Sequence, residues 1–478
     1  MSTLPKAGEF LGHPKGLFLL FGTEMWERFG YYGMRAILVL YLVAMAQDGG
    51  FGWSNADALS LYGTFTMAVY LTPLFGGWLA DNVLGQRKAI IIGGILMAAG
   101  HFTMGIPHAM VSGIEENVFY IGLTLLCIGN GLFKPNISTM VGDLYQEGDK
   151  RRDSAFTIFY MGINLGGALG PLIAGYVAAV INWQAGFIAA GIGMVISVVM
   201  QMILSKKYLG DIGVVPSAKL SQQQSESGQK EPLTKVEKDR IKVIFTMSVF
   251  SIIFWMGFEQ AGGLMNIFAN DYTDRMLMGF EIPASWFQSL NSIFIIIFAP
   301  IVAMIWLKLD NKEPNSPVKF AIGLVFLALG FFTMMLALAT EGGNGQDALQ
   351  ISMIWLVLFY LFHTLGELCL SPIGLSMVSK LAPLRLASLL MGIWFLCTAV
   401  ANKIAAFVGA FIGEGEAAME NAMGIFIGLG ATGLISAALM YFLSDRLVDW
   451  MHGAEGNHEP HTQEHYLNEE LEVSGSKQ

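Results

Sequence analysis

Charge is what this chain has least of. Asp, Glu, Lys and Arg make up 13% of its 478 residues, about half the share carried by soluble domains. A water-facing surface over most of the chain is therefore excluded. Cysteine is also scarce: Cys127, Cys369 and Cys397 are the whole supply. They are odd in number, lie in apolar segments, and show no CxxC or Cys/His spacing, so neither a disulfide framework nor a bound metal is expected. The first fifteen residues are polar, and the first apolar segment is too long and too charged for a signal sequence. No nucleophile–base arrangement or phosphate loop is present, and Gly342-Gly343-Asn344-Gly345 reads as a bare external turn. No enzyme activity, cofactor or nucleic-acid partner is expected. The net charge of -10 says little about partners, because the acids sit mostly in loops and the C-terminal tail.

What the chain does have is hydrophobic residues, 54% of the total, with 56 Gly and 28 Met. Apolar runs of 18 residues or more recur, each long enough to cross about 30 Å of hydrocarbon. The fold class is an all-α polytopic membrane protein. Twelve spans are expected: 16–47, 55–80, 88–108, 117–143, 153–181, 184–205, 241–271, 283–308, 317–340, 348–380, 384–412 and 419–445. An even number puts both termini on one side, and the loops on that side hold nearly all the basic residues outside the spans. The opposite loops contain only Arg275 among acids, so both termini are expected in the cytoplasm. Residues 206–240 are polar, with a Ser-Gln-Gln-Gln-Ser-Glu-Ser-Gly run, and read as a flexible linker. The chain then divides into a short N-terminus (1–15), a six-helix bundle (16–205), the linker (206–240), a second six-helix bundle (241–445) and a polar tail (446–478). Two such bundles rocking about a central site is a transporter organisation. In the tail, His458, His461 and His465 are spaced by three and four, but a solvated tail is the expected state.

The first span breaks the apolar rule. At about 100° per residue, Glu24, Glu27, Arg28, Tyr31 and Arg35 fall on one face. Each charge costs about 2.5–3.5 kcal/mol at a bilayer centre, so the face turns to protein or to an aqueous cavity. An ion-pair knot fixing helix register needs fewer groups than this. A membrane-embedded binding or proton-handling site is expected.

Between spans two and three, Gly77-Trp78-Leu79-Ala80-Asp81-Asn82-Val83-Leu84-Gly85-Gln86-Arg87-Lys88 resembles the cytoplasmic loop of major facilitator transporters, with one extra residue before the second glycine. The resemblance implies that Asp81, Arg87 and Lys88 serve gating. Further stretches resemble the proton-dependent oligopeptide transporter (POT/PTR) family of that superfamily: Glu24-x-x-Glu27-Arg28-Phe29-x-Tyr31-Tyr32-Gly33, Gly129 to Asn136 with Lys134 mid-span, and Phe159 to Ala168. Phe254 to Gln260 and Gly366 to Gly374 extend the match. Gly166-Gly167 stands where the family usually has Gly-Ser, which removes a hydroxyl. The linker cannot hold the two extra helices many bacterial members carry, so a plain twelve-helix major facilitator fold is implied.

The function implied is proton-coupled symport of di- and tripeptides by alternating access, driven by the proton gradient without a cofactor. The expected setting is a bacterial inner membrane, and the expected state is a functional monomer among lipids. A peptide is a zwitterion, so a general site grips two charged ends. Arg28 and Lys134 can take the carboxylate, and Glu367 the ammonium. Glu367 shares a face with Tyr360, His363 and Ser371, and Pro372 is expected to break span ten nearby. Tyr31, Tyr32, Ser371 and Trp394 are expected to line the cavity. Tyr70, Asn164 and Asn291 either line it or hydrogen-bond neighbouring helices; His363 is expected to be a satisfied core histidine. Proton coupling is assigned to Glu24, Glu27, Arg28, Lys134 and Glu259, with the carrier among Glu24 and Glu27 left open. The resemblance also implies that Arg35 pairs with Glu259 to close the outer gate. Lys403 is expected to snorkel. The weighed alternatives are a carrier of another small anion such as nitrate, or a non-transporting peptide sensor.

Overall fold

The computed structural model describes residues 8–146, 149–217, 233–341, 350–383, 386–414 and 417–454. Twelve long helices run through them: α1 (Lys15–Val43), α2 (Asn55–Leu79), α3 (Gln86–Met104), α4 (Glu115–Asp143), α5 (Arg151–Val180), α6 (Trp183–Leu209), α7 (Lys235–Phe258), α8 (Ser289–Leu309), α9 (Ser316–Glu341), α10 (Met353–Leu381), α11 (Ala387–Gly409) and α12 (Ala417–Trp450). Ten are long and apolar enough to cross a membrane. The other two are α1, whose middle carries Glu24, Glu27, Arg28 and Arg35, and α3, whose first turn carries Arg87 and Lys88.

Local chemistry sets several helix starts. Ser54 caps α2 by accepting from the Asp57 amide, and Asn182 caps α6 by accepting from Ala185. Thr234 and Glu237 form a capping box that starts α7 at Lys235, six residues before the expected span. The expected 206–240 linker is therefore too wide, because α6 also continues to Leu209. Likewise α12 extends to Trp450, and Arg240 Nε then donates to the Met451 carbonyl (3.1 Å), tying the start of α7 to the turn after α12. The three tail histidines and the 342–345 turn lie outside the described residues.

Two expectations about helix breaks are corrected. Pro372 does not interrupt α10, which runs unbroken from Met353 to Leu381; a membrane helix tolerates the lost hydrogen bond when neighbours pack around it. Span seven, expected to be continuous, is broken: α7 ends at Phe258, a 3₁₀ turn covers Glu259–Gly262, and a short helix covers Leu264–Asp271. The turn is pressed against α1 and α2. A Cβ on Gly262 would lie 1.9 Å from Tyr62 Oη and 2.7 Å from the Arg35 guanidinium.

Helix contacts fall into two groups. In the first, α1 packs on α5 and α6, and α3 on α4 and α6; in the second, α9 packs on α10 and α12, and α7 on α11 and α12. The groups meet through α2 against α11 and α5 against α8. One end of the molecule carries Lys15, Lys88, Lys206, Lys207 and Lys308; the other carries Asp48, Glu115, Glu116, Asp271 and Glu341. We call these the basic and acidic ends.

Hydrogen bonds joining the groups cluster in the acidic half. Asn55 Nδ2 donates to the Gly413 carbonyl (2.9 Å), Asn266 Nδ2 to Ala36 (2.7 Å) and Ser289 Oγ to Ala168 (2.8 Å). Lys403 Nζ donates to Thr64 Oγ1 (2.7 Å) and the Ser60 carbonyl (3.3 Å), so it bridges α11 to α2 rather than merely snorkelling. Gly166 is required where α5 crosses α1, since its Cβ would lie 2.1 Å from the Met25 carbonyl oxygen. At Gly167, Ser292 Oγ of α8 fills the space a side chain would take.

Candidate functional site

A cavity of about 260 Å³ opens between the two groups at mid-height. Its first wall is cationic. Arg28 is 3% exposed and held on one side by its own helix: Nη2 donates to Glu27 Oε1 (2.7 Å), Nε pairs with Glu27 Oε2, and Nε also lies 3.1 Å from Glu24 Oε1. Helical spacing produces this directly, since Glu24 and Arg28 are four residues apart. Glu24 and Arg28 reach the cavity; Glu27 is fully buried behind them, where Asn130 Nδ2 approaches its Oε1 at 3.5 Å. Lys134 also lines the cavity, its Nζ 4.6 Å from the centre of the Tyr70 ring. Among the described residues no ion pair joins Lys134 to a carboxylate.

The opposite wall is acidic. Glu367, on α10, faces the cavity at 9% exposure and accepts from Asn291 Nδ2 of α8 (2.9 Å), which also donates to Thr364 Oγ1 (3.1 Å). Asn291 thus lines the cavity and joins two helices at once. Asn164 likewise lines it while donating within α5 to the Tyr160 carbonyl (2.9 Å). Tyr32, Tyr360, His363 and Ser371 add to the polar lining, with His363 packed among Phe258, Phe331 and Phe359.

At the acidic end the cavity is closed by charge. Arg35 Nη2 pairs with Glu259 Oε2, and Arg35 Nε donates to Tyr62 Oη (2.6 Å). The 3₁₀ turn after α7 is what brings Glu259 to this contact. Toward the basic end an apolar cavity of about 510 Å³ shares Tyr160, Asn164, Ile295, Glu367 and Ser371 with the first and continues past Pro300 and Trp306. The first cavity is thus closed at the acidic end and borders the second toward the basic end.

Two residues expected in the lining are placed elsewhere. Trp394 is 5% exposed and packed on Gly374 of α10 and Phe320 of α9, inside the second helix group. The notch left by Gly374, where a Cβ would meet the indole at 2.3 Å, draws the ring there. Tyr31 lies beside the cavity rather than in it, with the Arg28 guanidinium 5.2 Å from its ring centre and Tyr32 edge-on to it. Asp81, Arg87 and Lys88 stand at the basic end. Asp81 and Arg87 do not pair with each other: Asp81 accepts from Ser217 Oγ (2.7 Å), and Arg87 Nη2 donates to the Gly210 carbonyl (2.5 Å). The loop therefore docks on the segment leaving α6. Its extra residue is absorbed by a π-helical turn, Ala80–Leu84, ahead of Gly85 at φ 78°.

Sequence reasoning missed Tyr160, Trp255, Phe258, Gln288 and Ser292, all in the lining. For Tyr160 a signal existed, since it lies one turn before Asn164 on the same helix face.

The sequence model of the POT family matches residues 87–210 and 209–425. The chain belongs to the POT family. It is 38% identical to the uncharacterized transporter YclF of Bacillus subtilis, across 92% of this chain and 94% of that protein. It is 37% identical to the peptide transporter YePEPT of Yersinia enterocolitica, across 85% and 90%. A crystal structure of a peptide transporter POT in complex with sulfate superposes with a TM-score of 0.84 at 35% identity, covering 94% of this chain and 98% of that one. A POT-family fold accounts for the twelve helices and the two groups around a central cavity.

Proposed function

We propose that this POT-family protein carries di- and tripeptides into the cell together with protons, by alternating access. The observation that carries the reading is the pair of opposed cavity walls, Arg28 and Lys134 facing Glu367. A zwitterion with a backbone between its charges fits such a site: carboxylate to the cations, ammonium to Glu367. An inorganic anion carrier has no use for the buried carboxylate, which costs free energy without a cationic partner. Relatives named as peptide transporters support the same substrate class.

Proton coupling rests on the α1 cluster. With Glu24 and Glu27 ionised, Arg28 is held by them; protonating one releases part of its hydrogen-bonding capacity to the peptide carboxylate. Glu259 gives the second step, since its protonation removes the charge that holds Arg35 and loosens the acidic end. The basic end is assigned to the cytoplasm by the excess of Lys and Arg there. The observed state, closed at the acidic end, is then inward-facing. A bacterial inner membrane, a working monomer and a proton gradient without any cofactor complete the reading.

The test is accumulation of labelled dialanine in proteoliposomes with and without an inward proton gradient. Gradient-dependent accumulation is expected. Its absence under a verified gradient would overturn the substrate assignment, and exchange without accumulation would overturn the coupling.

A further inference from the structure

Between α7 and α8, at the acidic end, the chain forms a two-stranded hairpin of Met276–Leu277 and Phe280–Glu281. Its tip is apolar and uncovered. Met276 is 53% exposed, Leu277 51%, Phe280 45%, and Met278, in the left-handed region at φ 50°, fully so. Turns facing water are ordinarily built from polar residues and glycine, and Gly279 at φ 85° is the sole such residue in this turn. Charge is confined to the base, where Arg275 Nη2 lies 2.8 Å from Glu281 Oε1 and Nη1 donates to the Ile282 carbonyl (2.7 Å).

The hairpin leans on α5 through a row of aromatic rings. Phe280 and Trp286 have centroids 5.9 Å apart, Trp286 and Tyr176 6.3 Å apart, and Trp286 Nε1 donates to the Leu172 carbonyl (2.9 Å). Exposed apolar residues continue from there along α5 as Ile173, Val180 and Ile181, the surface a multi-pass membrane protein turns to lipid. Trp and Tyr gather at the boundary between lipid and water. The uncovered tip is thus continuous with the lipid-facing belt.

We infer that the hairpin tip is a lipid foot, seated in the headgroup–acyl boundary of the leaflet at the acidic end, with phospholipid as its partner. Its depth is bounded by the backbone: a two-stranded pair leaves unpaired edges, which hydrocarbon does not tolerate but the hydrated interface does. The Arg275–Glu281 pair marks the water side. Because the short helix Leu264–Asp271 joins the Glu259 turn to the hairpin, the foot gives the gating end of span seven a hold on the membrane. This rests on the chain spanning a membrane and not on its substrate.

The test uses the full chain in lipid nanodiscs with Cys127, Cys369 and Cys397 replaced by Ala. A bimane label is placed at Met278→Cys and, in parallel, at Gln47→Cys, a polar exposed site at the same end. Quenching by phospholipid carrying a nitroxide near the top of its acyl chain is compared with quenching by aqueous iodide. The Met278 label is expected to be quenched several-fold more by the nitroxide lipid and shielded from iodide, with the Gln47 label showing the reverse. Equal iodide quenching at both sites would put the hairpin in water and overturn the inference. Self-quenching of the label in two-copy discs would mean a second copy covers the tip, which also overturns it. A label at Leu277→Cys gives the same reading should the first variant not assemble.

Discussion

The two walls of the cavity are built on different principles. On the first, Arg28 is held by two carboxylates from its own helix, so its charge is answered before any ligand arrives. On the second, Glu367 is met by a neutral amide, Asn291, and among the described residues by no cation. A neutral partner can fix a carboxylate's orientation but cannot balance its charge, and on the proposed function Glu367 is the group that takes the ammonium. On that reading Arg28 must be released from Glu24 and Glu27 before it binds, whereas Glu367 needs no such release. This asymmetry is why the first coupling step is assigned to the α1 cluster and recognition of the amino end to α10.

The largest effect should come from removing the waiting charge. Glu367→Ala is expected to weaken dialanine binding by about 2 kcal/mol or more, roughly thirtyfold, measured by competition in uptake assays. Arg28→Lys keeps the charge and loses the planar fork, so about a tenfold fall in uptake is expected. A variant with unchanged uptake would show that the two-pronged grip on Glu27 is dispensable. Glu259→Gln preserves shape and removes charge at the acidic-end closure. Proton-driven uptake should fall and its pH dependence flatten; full uptake with a normal pH profile would remove Glu259 from coupling. Smallest is Lys403→Met, which deletes the α11–α2 bridge. Hydrogen bonds between membrane helices average about 0.6 kcal/mol, so a loss of thermal stability of that order is expected, with dialanine affinity unchanged.

The α1 face was legible because four charges in an apolar run have no bland explanation, and helical spacing then dictates the Glu24–Arg28 contact. The Arg35–Glu259 pair joins residues 224 apart in sequence, and only the family resemblance pointed to it. What hid the rest was packing. Trp394 has the composition of a cavity residue, but the space beside Gly374 takes it into a core. Trp255 and Phe258 line the cavity with side chains that resemble any lipid-facing aromatic. The break at Gly262–Gly263 had a local signal in the paired glycines, but the contact with Tyr62 and Arg35 that Gly262 permits lies on other helices. At Asp81 and Arg87 the motif correctly marked a structured turn but not its partner, the segment after α6.

The most direct test of the two-wall account is competition for labelled dialanine uptake by dialanine and by its N-acetylated form, in wild type and in Glu367→Ala. Acetylation removes the ammonium and leaves the carboxylate. The account predicts that wild type prefers the free amine strongly and that the variant, with its residual uptake, loses this preference. If wild type accepts both equally, Glu367 does not hold the amino end and the account is contradicted.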